Sequence, residues 1–264
     1  MSASRHYIWA IHAVEQWSSR PAPVRERIKS VLSRVEARAL AQAGVDPARA
    51  GRRLTGDGAV LALPGDVRQE AITTRYVDAV REGIEDHDAE CEAAETIRLR
   101  LALHGGPAGP DEWTGPGVAS VSQLVDAPAL HRVLAAATGS ALALIVSDDW
   151  YRSTVTQGYA SGEGYRPVRL ATGESPGHAW IRVPGRSEPP GLVPGDLPQR
   201  GGRSAADGQA AAAAGPPAWT GSTITNSGTI GGVGDFRGAH VEGDVSFGNN
   251  YYGAAGPRQN GGAR

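Results

Sequence analysis

The stretch Arg52-Arg53-Leu54-Thr55-Gly56-Asp57-Gly58-Ala59-Val60-Leu61-Ala62-Leu63 decides the fold. Two extended segments flank an Asp-Gly pair, a strong short-range signal for a β-hairpin. Working backwards, Tyr7-Ile8-Trp9-Ala10-Ile11-His12-Ala13-Val14 is a compact apolar run and reads as a buried strand. Between it and the hairpin, Val24, Ile28, Val31, Leu32, Val35 and Ala39 recur at helical spacing. Pro21 and Pro23 open this helix and Gly44 closes it. Working forwards, Ile72, Tyr76, Val80 and Ile84 mark a second amphipathic helix. Ile97, Leu99, Leu101 and Leu103 then alternate with Arg98, Arg100 and Ala102, the pattern of a half-buried strand. Strand–helix–strand–strand–helix–strand is the ferredoxin-like (βαββαβ) order of an α+β fold. Its natural closure is an antiparallel-containing sheet with helices on one face.

Further along, Gly105–Gly117 is rich in Gly and Pro and reads as a loop. A third helix is expected from about Val118 to Ala137, kinked near Pro128. Ala141–Ser147 reads as a strand, and Asp148 as the N-cap of a short helix reaching about Thr156. Two late strands surround Val168–Leu170 and Ala179–Val183.

Glycine divides the chain: 17 of 36 fall in residues 1–184 and 19 in residues 185–264. The first part has the size and composition of a self-sufficient domain. The expected organisation is a folded domain over 1–186, a flexible Pro/Gly/Ala linker over 187–218, a β-prone Gly-rich motif over 219–252 and a disordered tail over 253–264. The net charge of −2 gives no footprint for nucleic acid. Cys91 is the only cysteine, so no intrachain disulfide and no cysteine-based zinc site is expected. No stretch has the ~18 apolar residues of a membrane span, and no signal-peptide pattern opens the chain, so a cytoplasmic setting is expected.

Four places resemble the class III adenylate/guanylate cyclase-like domains of bacteria. They are the first strand with Glu15-Gln16-Trp17-Ser18, the Thr55-Gly56-Asp57-Gly58 hairpin, the strand Ile97–His104 before Gly105-Gly106, and Gln123-Leu124-Val125-Asp126-Ala127-Pro128. The closing Ala179-Trp180-Ile181-Arg182-Val183-Pro184-Gly185 is similar to the end of such a domain. The resemblance implies two carboxylates, one on the first strand and one in the hairpin, holding two Mg²⁺ or Mn²⁺ ions on ATP or GTP. It also implies an Asn and an Arg on a later helix, usually supplied by a partner subunit, and hence a homodimer. Carried over residue by residue, the hairpin carboxylate is Asp57, the metal candidate. The first-strand carboxylate falls on Ala13, the Asn on Ala119 and the Arg on Gln123. Alanine offers no metal ligand, and Gln is neutral where a transition-state cation is wanted. A degenerate site is therefore expected, with no cofactor. Mg²⁺ or Mn²⁺ with ATP or GTP enters only if the site is active, with Glu15 as a substitute ligand.

The tail resembles the bacterial amyloid signalling motifs that are similar to the RIP homotypic interaction motif (RHIM). The partner-binding positions are Ile224, Ile230, Phe236, Gly238, Val241, Gly243, Val245 and Phe247, with Arg237 where Gln is typical. Stacked strands bury such alternating apolar residues in a dry zipper and satisfy every backbone group between chains. By resemblance, the partners are proteins with a matching motif in bacterial conflict signalling. Three readings follow: a catalytically degenerate cyclase-like signalling protein with a recruiting tail, an active purine nucleotidyl cyclase, and a plain binding module with a disordered tail.

Overall fold

The hairpin forms where the Asp-Gly pair places it. β2 (Gly51–Leu54) and β3 (Gly58–Pro64) pair antiparallel, with Leu54 opposite Ala59. The Thr55 N–H donates to the Gly58 carbonyl at 3.0 Å and closes the turn. A computed structural model describes residues 5–108, 113–170 and 177–198. Around the hairpin lie β1 (His6–Val14) and β4 (Leu99–Pro107), separated in sequence by helices α1 (Ala22–Gln42), α2 (Gln69–Ala71) and α3 (Val77–Glu90). A π-helical turn, Ile72–Tyr76, joins α2 to α3. These strands lie in the order β2-β3-β1-β4, and each neighbouring pair is antiparallel.

The sheet continues from β4 through β5 (Leu142–Ser147) to β7 (Gly177–Arg182) and the edge strand β6 (Arg166–Leu170), seven strands among the described residues. Among the described residues only the β4–β5 pair is parallel. Their crossover carries α4 (Pro116–Val125) and α5 (Pro128–Ala136).

Helices cover both faces, not one. On the first face Ile8, Ala10, Val14, Leu61, Leu101 and Leu144 meet α1 and α3. On the second, Trp9, Ile11, Ala13, Ala102, Ala143 and Ile145 meet α4 and α5. The reason is legible in composition: β1 and β5 are apolar on both sides of the pleat, so each side requires cover. Among the described residues no helix is long and apolar enough to cross a membrane.

Three local expectations are corrected. The third helix is two helices, because Pro128 opens α5 at its first turn and holds Ala127 extended at φ −59°, ψ 126°. Helix α6 (Asp148–Tyr151) is capped by Ser147, whose Oγ accepts from the Trp150 N–H at 3.3 Å. The folded unit also runs past residue 186. Asp196 is buried, its Oδ1 pairs with Arg132 of α5, and its Oδ2 accepts from the Val193 N–H at 3.0 Å. Gly191 is required there: its φ is +78°, and a Cβ would lie 2.7 Å from the Ala136 Cβ. Residues 187–198 are therefore packed chain, not the start of a linker. The rest of the expected linker, the motif residues Ile224, Ile230, Phe236, Gly238, Val241, Gly243, Val245 and Phe247, and the tail lie outside the described residues.

Candidate functional site

The site grows out of the hairpin's contact with the end of β1. A Cβ on Gly58 would lie 1.9 Å from the His12 carbonyl, so only glycine lets β3 come this close. The Val14 N–H donates to the Asp57 carbonyl at 2.9 Å, which extends the ladder to the hairpin tip. One residue on, the Glu15 N–H donates to the Arg98 carbonyl at 2.9 Å. Gln16 then turns into the left-handed region at φ 56°. Asp57 and Glu15 are thus fixed by backbone bonds on two sides of the same strand end.

Ala13 stands opposite Gly58 on one side and Arg100 on the other. Alternation in a half-buried strand turns Arg100 outward; instead it is 5% exposed. Its Nε makes an ion pair with Glu15 Oε1 at 2.7 Å. Its terminal nitrogens lie 3.6 Å from Asp57 Oδ2 and 3.5 Å from Asp126 Oδ1. Nη1 donates to the Val125 carbonyl, at the C-terminal end of α4, at 2.7 Å. That carbonyl end carries the negative pole of the helix.

His131, on α5, completes the cluster. Its Nε2 is 2.7 Å from Arg100 Nη1 and its Nδ1 is 3.2 Å from Glu15 Oε1. A guanidinium only donates, so Nε2 must be the accepting nitrogen and the ring is neutral with its proton on Nδ1. The electrostatics agree: burial and then the Arg100 charge hold His131 below the ordinary imidazole range.

The two Mg²⁺ ions of the cyclase resemblance do not fit these residues. Ala13 contributes no ligand. The two carboxylates that do converge, Asp57 and Glu15, already hold a cation that is part of the chain. At an effective dielectric of about 20, two unit charges about 4 Å apart repel by about 4 kcal/mol, and a dication beside a guanidinium by about twice that. Three carboxylates facing one guanidinium also make a poor seat for a triphosphate.

The structure brings Ala13 and Asp57 side by side but leaves Ala119 and Gln123 elsewhere. Both are exposed on α4, and among the described residues neither bonds to Ala13 or Asp57. Gln123 lines a cavity of about 660 Å³ with Arg132, Arg169, Asp196 and Asp126, the last of which it shares with the Arg100 cluster. Sequence reasoning missed Arg100, Asp126 and His131. Arg100 gave no signal, because alternation in a half-buried strand assigns it to water.

No family model and no curated protein matches the chain. Solved structures do resemble it. The adenylate/guanylate cyclase/hydrolase from Silicibacter pomeroyi is 19% identical over 69% of this chain and 99% of its own, with a TM-score of 0.48. The guanylate cyclase domain of RhGC from Catenaria anguillulae, in complex with GTP, is 13% identical over 69% of this chain and 98% of its own, with a TM-score of 0.45. The dimeric guanylyl cyclase domain of the RhoGC fusion protein from Blastocladiella emersonii is 12% identical over 67% and 96%, with a TM-score of 0.44.

Proposed function

We propose that the chain is a catalytically degenerate nucleotide-cyclase-like signalling protein that makes no cyclic nucleotide. It recruits or oligomerises with partners through the RHIM-like segment over residues 219–252, in bacterial conflict signalling. The single observation that carries the first half is the position of Arg100. A buried guanidinium lies between Glu15 and Asp57, beside Ala13, where the resemblance calls for metal ions. The ferredoxin-like reading of residues 6–107 draws support from the β2-β3-β1-β4 strand order. The tail reading rests on sequence: Val241, Val245 and Phe247 are an even number of residues apart, as one face of a strand requires, and Gly and Asn separate the apolar positions. A homodimer and a cytoplasmic setting belong to the same proposal.

The test is incubation of the full chain with ATP or GTP and Mg²⁺ or Mn²⁺, with cyclic product as the readout. The expected outcome is no product above the protein-free control. Turnover that disappears in Asp57→Ala would overturn the reading. For the tail, residues 218–252 are followed by thioflavin fluorescence, alone and with a matching motif. Fibres that Val241→Asp prevents are expected, and a lasting flat signal removes the recruitment half.

One observation favours a second reading, an active purine nucleotidyl cyclase. Glu15 and Asp57 do reach a common point, so two carboxylates are available if Arg100 swings away. Metal-dependent product formation lost in both Glu15→Gln and Asp57→Asn is its signature.

A further inference from the structure

We propose that His87, Asp88 and Cys91, at the end of α3, form a binding site for a borderline-soft divalent cation, of which Zn²⁺ is the natural example. One ligand atom from each lies within 4.8 Å of the other two, and all three residues are half-buried. The set combines an imidazole nitrogen, a carboxylate oxygen and a sulfur, which are the donors zinc takes. The sequence leads one to expect no cysteine-based zinc site; one cysteine does exclude a site made of thiolates alone, but a mixed site needs only one.

The local fold explains the convergence. His87 and Cys91 are four residues apart and share a helix face, as paired ligands on metal-binding helices do. The Cys91 N–H donates to the His87 carbonyl at 3.1 Å, so the helical turn persists through the cap. Asp88 comes in from the adjoining position and is oriented from outside: the Ile97 N–H donates to its Oδ1 at 2.9 Å, leaving Oδ2 free to bind. His87 is oriented likewise. Its Nε2 lies 3.3 Å from the Glu95 carbonyl, which only accepts, so Nε2 bears the proton and Nδ1 keeps a lone pair. Outer groups that aim ligands and fix a histidine's tautomer are part of a metal centre, and for two of the three ligands they are present before any ion binds. Three protein ligands leave a fourth tetrahedral position for water. A bound ion would tie the end of α3 to the segment leading into β4, whose Ile97 and Glu95 already hold two of the ligands.

The site is tested on the reduced full-length chain with Co²⁺, which absorbs through a sulfur-to-metal charge-transfer band when a thiolate binds it. The chain has one cysteine, so such a band can come only from Cys91. The band is expected to saturate at one equivalent per chain and to vanish on addition of Zn²⁺. It should be absent in Cys91→Ser and to need about tenfold more cobalt, or more, in His87→Ala and Asp88→Asn. No band in the unaltered chain overturns the proposal, and that result depends on no variant folding. A band saturating at half an equivalent, or unchanged in His87→Ala and Asp88→Asn, overturns it too, because the thiols of two chains would then hold the ion.

Discussion

Arg100 stands directly opposite Ala13 in the β1–β4 ladder, and its guanidinium extends past that small residue to Glu15 and toward Asp57. The pairing ties together three distant segments: the end of β1, the hairpin tip and the α4–α5 junction. It also places a permanent positive charge beside both carboxylates. Affinity for a dication here would depend on moving an arginine that takes part in one buried hydrogen bond and three ion pairs.

Arg100→Ala should therefore destabilise the domain by about 3 kcal/mol, the low end of the cost of leaving a buried charge without its partner. The low end applies because Glu15 and Asp57 keep side-chain exposures of 27% and 40% and regain some hydration. Arg100→Lys keeps the charge but loses the planar fork, so it should recover only part of the loss. Denaturant midpoints for the two variants check both statements. Equal stability in all three proteins would mean the guanidinium holds nothing together.

Gly58→Ala should be more severe than an ordinary glycine replacement in a strand. The new methyl carbon would meet the His12 carbonyl at 1.9 Å, and that oxygen belongs to the backbone of the interior strand β1, so it cannot swing aside. Either β3 peels from β1 or the hairpin shifts register. A loss of about 3 kcal/mol is expected, at the upper end of overpacking costs. Gly56→Ala, two residues away with open space around its Cβ position, is the control and should change the thermal midpoint little.

Glu36 supplies an acid-sensitive contact inside the first core layer. It is buried at 4% exposure, within 3.0 Å of His12 Nδ1 on β1 and 2.6 Å of Arg52 Nε on β2. Burial pushes its carboxyl up, but the His12 and Arg52 contacts outweigh burial and hold it below the ordinary value of 4.5. A carboxyl with a depressed folded-state pKa contributes stability that is complete above its unfolded value and is lost as pH falls through the folded one. The domain should therefore weaken below about pH 4.5, and Glu36→Gln should flatten that limb of the stability–pH curve. An unchanged limb would assign acid denaturation to other carboxylates.

How much of this was readable in the chain depends on how local each signal is. The Asp-Gly turn, the helical spacing from Val24 to Ala39 and the apolar run Tyr7–Val14 are contained in short windows, and each forms as read. The second cover of helices was hidden only by a choice of closure, since β1 and β5 carry apolar residues on both faces. Arg100 was hidden for a deeper reason. Strand alternation assigns it to water, and what keeps it buried is negative charge from Glu15, Asp57 and Asp126 together with the Val125 carbonyl. No window of the sequence contains all of these. The packed stretch 187–198 was missed because it is rich in Pro and Gly. One buried carboxylate, Asp196, and its Arg132 partner fix it, and such a pair leaves no periodic trace.

His131 ties the cluster to pH near neutrality. In the folded protein its Nε2 must accept from Arg100, and protonation would place a donor against a donor. Burial, then the Arg100 charge, lower its pKa from 6.5, so the folded state resists a proton that the unfolded chain takes up readily. The unfolded state thus binds more protons as pH drops below about 6.5, and stability falls with it until the folded-state histidine also titrates. His131→Gln retains a ring-free acceptor and cannot titrate, so it should remove this slope while leaving the Glu36 limb in deeper acid intact. The measurement is the denaturant midpoint of both proteins from pH 7.5 to about 5. Parallel curves would show that His131 takes its proton in the folded state as easily as in the unfolded one, and would break the assignment of Nε2 as the acceptor.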